Sequence, residues 1–140
     1  MRRSISTILA GAVIVLWAGA AVAGPNMSEG KWEITSKMEM EGMPMAMPPT
    51  KTTMCLNPKE TVPQKPSKNE DCKFLSRNIE GNTVTWVMQC KDKHGTMESK
   101  GKITYHGNTF EGKVVMDMNH GGRPQTMKQE LSGRRIGDCK

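Results

Sequence analysis

Sulfur is the distinctive chemistry of this sequence. Thirteen methionines stand beside one tyrosine, two phenylalanines and three tryptophans. Five of the methionines, Met38, Met40, Met43, Met45 and Met47, recur every second or third residue in a stretch punctuated by Gly42, Pro44, Pro48 and Pro49. Met116-x-Met118-x-His120 forms a second cluster. Thioethers spaced in this way can converge on Cu(I) or Ag(I), soft ions that favour sulfur. Met38, Met40, Met43, Met45, Met47, Met116, Met118 and His120 are therefore the candidate metal ligands. The same residues admit a plainer use, because methionine also makes flexible core filler and adaptable apolar contact surface.

The four cysteines, Cys55, Cys72, Cys90 and Cys139, contain no C-x-x-C spacing. Zinc ribbons, thioredoxin-like redox sites and c-type haem attachment need two sulfurs held by a short turn, so the spacing argues against all three and for structural bridges over metal thiolates. An even count in an exported chain reads as two disulfides. Three pairings are open. An up-and-down strand order brings the strand ends bearing Cys55, Cys72 and Cys90 together, whereas a regular hairpin register points Cys72 and Cys90 to opposite faces.

Catalytic constellations are not legible. His94, His106 and His120 lie in or beside predicted turns, and neither H-E-x-x-H nor a serine on a strand-turn-helix elbow occurs. The expectation is a non-enzymatic protein with no cofactor beyond Cu(I) or Ag(I).

The elements that would position these residues begin after a leader. Arg2 and Arg3 precede an apolar run from Ile5 to Ala21, and Ala21-Val22-Ala23 offers small residues to a signal peptidase. Residues 1–23 are expected to be a cleaved signal peptide. Residues 24–140 are then one small domain, released to the periplasm without a membrane span and with no cysteine at the cleavage point to carry lipid. The formal charge of +6 is scattered singly among acids, as in Glu29-Gly30-Lys31, which argues against nucleic acid.

Periodicity in the remainder is that of strands. Alternation covers 31–40 around Trp32 and Ile34, then 52–56. Pro58, Pro63 and Pro66 make 57–71 a loop. The runs 73–80 and 83–91 flank Gly81-Asn82, a two-residue hairpin connection. Pairing Glu80 with Thr83 sets Ile79 opposite Val84 and Leu75 opposite Met88. Further strands are predicted over 97–105, 110–118 and 126–135, with turns at His106-Gly107-Asn108 and Gly121-Gly122. The predicted fold is all-β: one small, disulfide-bonded, antiparallel up-and-down β-barrel or strongly bent sheet of seven to eight strands.

Gly30-Lys31-Trp32-Glu33, the methionine-proline stretch, Thr53-Met54-Cys55-Leu56, Asp71-Cys72, Val84 to Cys90 and the ending Gly133-Arg134-Arg135-Ile136-Gly137-Asp138-Cys139 occur in one order along the chain. Together they resemble the DUF3617 family. The resemblance implies a small, exported, cysteine-containing domain of Gram-negative bacteria, with no function assigned. A second similarity, to lipocalins and other calycin barrels, rests on Gly30-x-Trp32 and on Arg134 or Arg135. It implies an arginine of the last strand covering the tryptophan of the first.

Two functional readings follow. The first is a periplasmic binding or structural domain presenting the Met-Pro loop to a small apolar ligand or an envelope partner. The alternative is a Cu(I)- or Ag(I)-binding protein. An enclosed apolar cavity would favour the first, and a filled interior with sulfurs at its rim the second.

Overall fold

A computed structural model describes residues 24–43, 47–64, 68 and 70–140. The expected signal peptide, residues 1–23, and Met45 lie outside the described residues. Seven strands follow one another: β1 (Gly30–Met40), β2 (Thr50–Leu56), β3 (Asp71–Glu80), β4 (Thr83–Asp92), β5 (Gly95–Tyr105), β6 (Thr109–His120) and β7 (Arg123–Gly137). They form one antiparallel sheet in the order β2-β1-β7-β6-β5-β4-β3. Among the described residues no helix is long and apolar enough to cross a membrane.

Period-two patterning decides which face is buried. Val84, Trp86, Met88 and Cys90 on β4 are buried, and the residues between them are not. The same rule selects Trp32, Ile34 and Ser36 on β1, Ile103 and Tyr105 on β5, Phe110 and Val114 on β6, and Leu131 on β7. All of these lie on one inner face.

The sheet is strongly bent around that face. Trp32 and Tyr105 lie three strand positions apart, which is about 14 Å in a flat sheet, yet their ring centroids are 6.1 Å apart. Glycines make the bend possible. Gly101, Gly112 and Gly133 face inward opposite Trp86, Ile103 and Phe110, and a Cβ built on any of them would fall 2.0–2.5 Å from its partner's side chain. Large side chains thus lie across bare backbone, which closes the curve and fills the interior.

The curve stops short of a barrel, because no ladder joins β2 to β3 among the described residues. The connection from Asn57 to Gln64 bridges the gap instead. Thr61 is fully buried, and its carbonyl accepts the Tyr105 hydroxyl at 2.6 Å. Gln64 Oε1 accepts both Trp86 Nε1 at 3.2 Å and Ser99 Oγ at 3.0 Å. Arg77 on β3 donates to Thr61 Oγ1 at 2.7 Å. One end of the sheet is closed by Pro25 to Ser28: Met27 bridges to Gly107, and Trp32 Nε1 donates to the Ser28 carbonyl at 3.1 Å.

Both disulfides are formed, Cys55–Cys139 and Cys72–Cys90. The tail beyond Gly137 passes β1 to reach β2, so the first bond fastens the end of the chain across three strands. The second corrects the expected register. Glu80 pairs with Thr83 and Ile79 with Val84, but Leu75 forms a bulge between Phe74 and Ser76. The extra residue shifts everything beyond it by one position. Phe74, not Leu75, stands opposite Met88, and Cys72 comes to face Cys90. Leu75 is left half exposed.

Candidate functional site

The inner face divides by chemistry along its length. The half nearer the Pro25–Ser28 closure carries Trp32, Ile34, Val84, Ile103, Tyr105 and Phe110. Towards the opposite rim, where the β1–β2, β4–β5 and β6–β7 turns gather, methionine takes over. Register opposes Met97 directly to Met118, Met116 to Met127, and Met127 in turn to Met40. Directly opposed side chains in an antiparallel ladder have Cβ atoms about 4.5–5.5 Å apart, so two adjoining rows of thioethers line this end. Met88, which continues the row of Met116, Met127 and Met40 through Ser99, is buried; Met40, Met97, Met116, Met118 and Met127 are partly buried. Met40 Sδ accepts a hydrogen bond from Gln125 Nε2 at 3.4 Å.

A cleft of about 100 Å³ opens at this rim, lined by Met97, Met118 and His120 together with Asp92, Glu70 and Cys90. His120 stacks on His94 of the β4–β5 turn, with centroids 5.4 Å apart and planes inclined by 22°. Asp92 Oδ1 accepts the backbone N–H of His94 at 2.7 Å and of Gly95 at 2.9 Å. These bonds, the one from His94 foremost, hold its carboxyl below the usual carboxylate range, with the two imidazoles adding to the effect. Ligand atoms of Glu70, Cys72 and Cys90 lie within 4.8 Å of one another, but both sulfurs are spent in a disulfide and offer no thiolate.

The candidate ligands read from the sequence divide accordingly. Met40, Met116, Met118 and His120 come to the rim, and Met38 stands one row deeper, opposite Gln129. Met43 is 60% exposed and Met47 38% exposed on the β1–β2 loop. Met97, Met127 and His94 were not among the expected ligands. Met97 opens a predicted strand whose even-odd pattern already places it on the face of Ile103, and the pairing of β6 with β7 through Gly121-Gly122 supplies Met127. His94 could be found only from the folded turn. His106 lies at the opposite end of the sheet, 3.8 Å from Glu111.

The residues expected to hold the first strand against the last are neighbours. Trp32 is fully buried and pairs with Arg135. The Arg135 guanidinium lies over Gly30, donating to the Glu29 carbonyl at 2.7 Å and to Asp138. The Trp32 ring itself packs on Tyr105 and Phe110. Arg134 faces outward and bonds Glu33 at 3.0 Å.

A family model described as a protein of unknown function, DUF3617, matches residues 27–139. No curated protein and no solved structure matches the chain.

Proposed function

We propose that this chain, which belongs to the DUF3617 family, is an exported, non-enzymatic periplasmic domain that binds Cu(I) or Ag(I) at its methionine-lined rim. The observation that carries the reading is the direct opposition of Met97 and Met118 in one small cleft with His120. Two thioethers and an imidazole form a soft, low-coordinate donor set. The protein around them supports the same choice. Trp32, Trp86, Tyr105 and Phe110, each at most 2% exposed, take up the interior that an apolar ligand would need. The larger groove, about 520 Å³, lies on the outer face among Lys37, Lys102, Lys113, Glu111 and Glu130. Export rests on the leader, and an oxidising compartment accords with two disulfides.

Native mass spectrometry of protein purified from the periplasm and loaded with Ag(I) without reductant tests the reading. One retained ion per chain is expected, and its loss in the Met97→Leu, Met118→Leu double variant. A wild-type chain that retains no ion contradicts it.

A second reading has its own observation in the exposure of Met43 and Met47 beside Pro48 and Pro49. In that reading the loop is an apolar contact for an envelope partner. Leucine at both positions would then preserve the contact, and glutamate would abolish it.

A further inference from the structure

The outer face of the sheet carries a polar groove that the methionine rim does not use. Lys37, Glu130, Lys113 and Lys102 form one transverse row, each directly opposed to the next across β1, β7, β6 and β5. They point outward because Ser36, Leu131, Val114 and Ile103 beside them take the inner face. Three ammonium groups thus share one carboxylate. Glu130 lies 3.6 Å from Lys113, and among the described residues Lys37 and Lys102 enter no ion pair. Lys102 and Lys113 stand directly opposite each other, an arrangement of like charges that costs stability.

The neighbouring row is short and hydroxylated. Thr35 opposes Ser132, Ser132 opposes Glu111, and Glu111 opposes Thr104. Thr104 Oγ1 lies 3.1 Å from Thr83 Oγ1, which can donate and leave the Thr104 proton to the groove. Glu111 lies 3.8 Å from His106, on the side away from the lysines. Both rows line one groove of about 520 Å³, a size that suits a small molecule. Its two sides differ in chemistry: ammonium groups along one, hydroxyls and a carboxylate along the other.

We infer that this groove binds a phosphate monoester carried on a hydroxylated body, the chemistry of a phosphorylated sugar, whether soluble or borne on a lipid. A phosphate between Lys102 and Lys113 relieves their repulsion and accepts charge-assisted hydrogen bonds from both, while Lys37 adds positive potential from beyond Glu130. A bare anion would leave the second row unused and would face Glu111. The hydroxyls of an ester satisfy that row, donating to the Glu111 carboxylate and exchanging hydrogen bonds with Thr35, Ser132 and Thr104.

The test is a calorimetric titration of the mature, disulfide-bonded protein with glucose 6-phosphate, beside flotation with phosphatidylcholine vesicles that do or do not carry lipid A. One ester per chain is expected, and the arm that binds names the source. Lys102→Gln with Lys113→Gln should weaken binding roughly tenfold for each ammonium lost. Lys59→Gln with Lys73→Gln, which removes the same charge elsewhere, should leave it unchanged. Lys102→Gln alone should raise the unfolding midpoint at low salt, because the opposed charges no longer repel, and this shows that the variant folds. Binding in neither arm, equal weakening in the two double variants, or inorganic phosphate bound as tightly as the ester overturns the inference.

Discussion

Trp86 lies across the backbone of Gly101, its partner on the neighbouring strand, so closely that a Cβ on Gly101 would fall 2.0 Å from the indole Cζ2. Phe110 on Gly133 repeats the arrangement two strands along. An aromatic ring laid over a cross-strand glycine covers backbone that would otherwise be bare and lets the sheet bend towards it. With so few aromatic residues, the chain spends them where they set curvature.

Gly101→Ala is accordingly expected to destabilise the fold by about 1–3 kcal/mol, the usual cost of an overpacked core. The neighbour that must yield is a buried ring, itself held by the Gln64 hydrogen bond. Urea unfolding midpoints measure this; a midpoint equal to that of wild type would show that the close approach is not needed.

Trp32→Ala should cost about 3–5 kcal/mol, as large-to-small core substitutions do. It also removes the bond from Trp32 Nε1 to the Ser28 carbonyl. Amide exchange around Met27 and Ser28 should therefore accelerate beyond the global change. Unaltered protection there would mean that the Gly107 and Asn82 contacts hold the segment without the indole.

Much of this architecture is legible in the amino-acid pattern, because a burial period of two and the Gly81-Asn82 and Gly121-Gly122 turns act locally. Seven strands in up-and-down order follow from those signals alone. Pairing of Cys72 with Cys90 does not, since it depends on the bulge at Leu75. Nothing in Phe74-Leu75-Ser76 marks which residue leaves the ladder; that is settled by Phe74 and Cys72 meeting β4. How the gap between β2 and β3 is covered is likewise decided at a distance, by Thr61 and Gln64 reaching Tyr105, Trp86 and Ser99. At the rim, Met116-x-Met118-x-His120 could be read as a cluster, but the partners Met97 and His94 belong to another hairpin and become visible only through the β5–β6 register. The adjoining row of Met116, Met127 and Met40 requires the pairing of the first strand with the last.

The two disulfides should differ in their contribution. Cys55–Cys139 closes 84 residues and Cys72–Cys90 closes 18. Loop-closure entropy assigns about 4–5 kcal/mol to the longer and about 3 kcal/mol to the shorter. Paired serine variants compared by chemical denaturation should fall in that order, and the reverse order would indicate that local packing around Cys90 outweighs chain entropy.

Tyr105 provides a pH dependence of known sign. Burial pushes its phenol well above the ordinary 10.0, with the Arg77 charge opposing weakly, and its hydroxyl donates to the Thr61 carbonyl. The folded state keeps the proton that the unfolded chain releases from about pH 10 upward. This stabilising contribution is whole below pH 10 and is lost progressively above it. Tyr105→Phe should cost about 1 kcal/mol at neutral pH through the missing hydrogen bond, while flattening the alkaline loss. Parallel alkaline profiles for the two proteins would contradict this role.

The central claim concerns which sulfurs meet the ion, and methyl resonances of ¹³C-labelled methionine report on each one separately during titration with Ag(I). The expected result is that Met97 and Met118 shift together and saturate at one equivalent. Met116 and Met127, in the adjoining row, should respond less, and Met54 and Met27, at the far end, should stay still. A titration that moves only Met43 and Met47 on the exposed loop, or none of the methionines, would contradict the account.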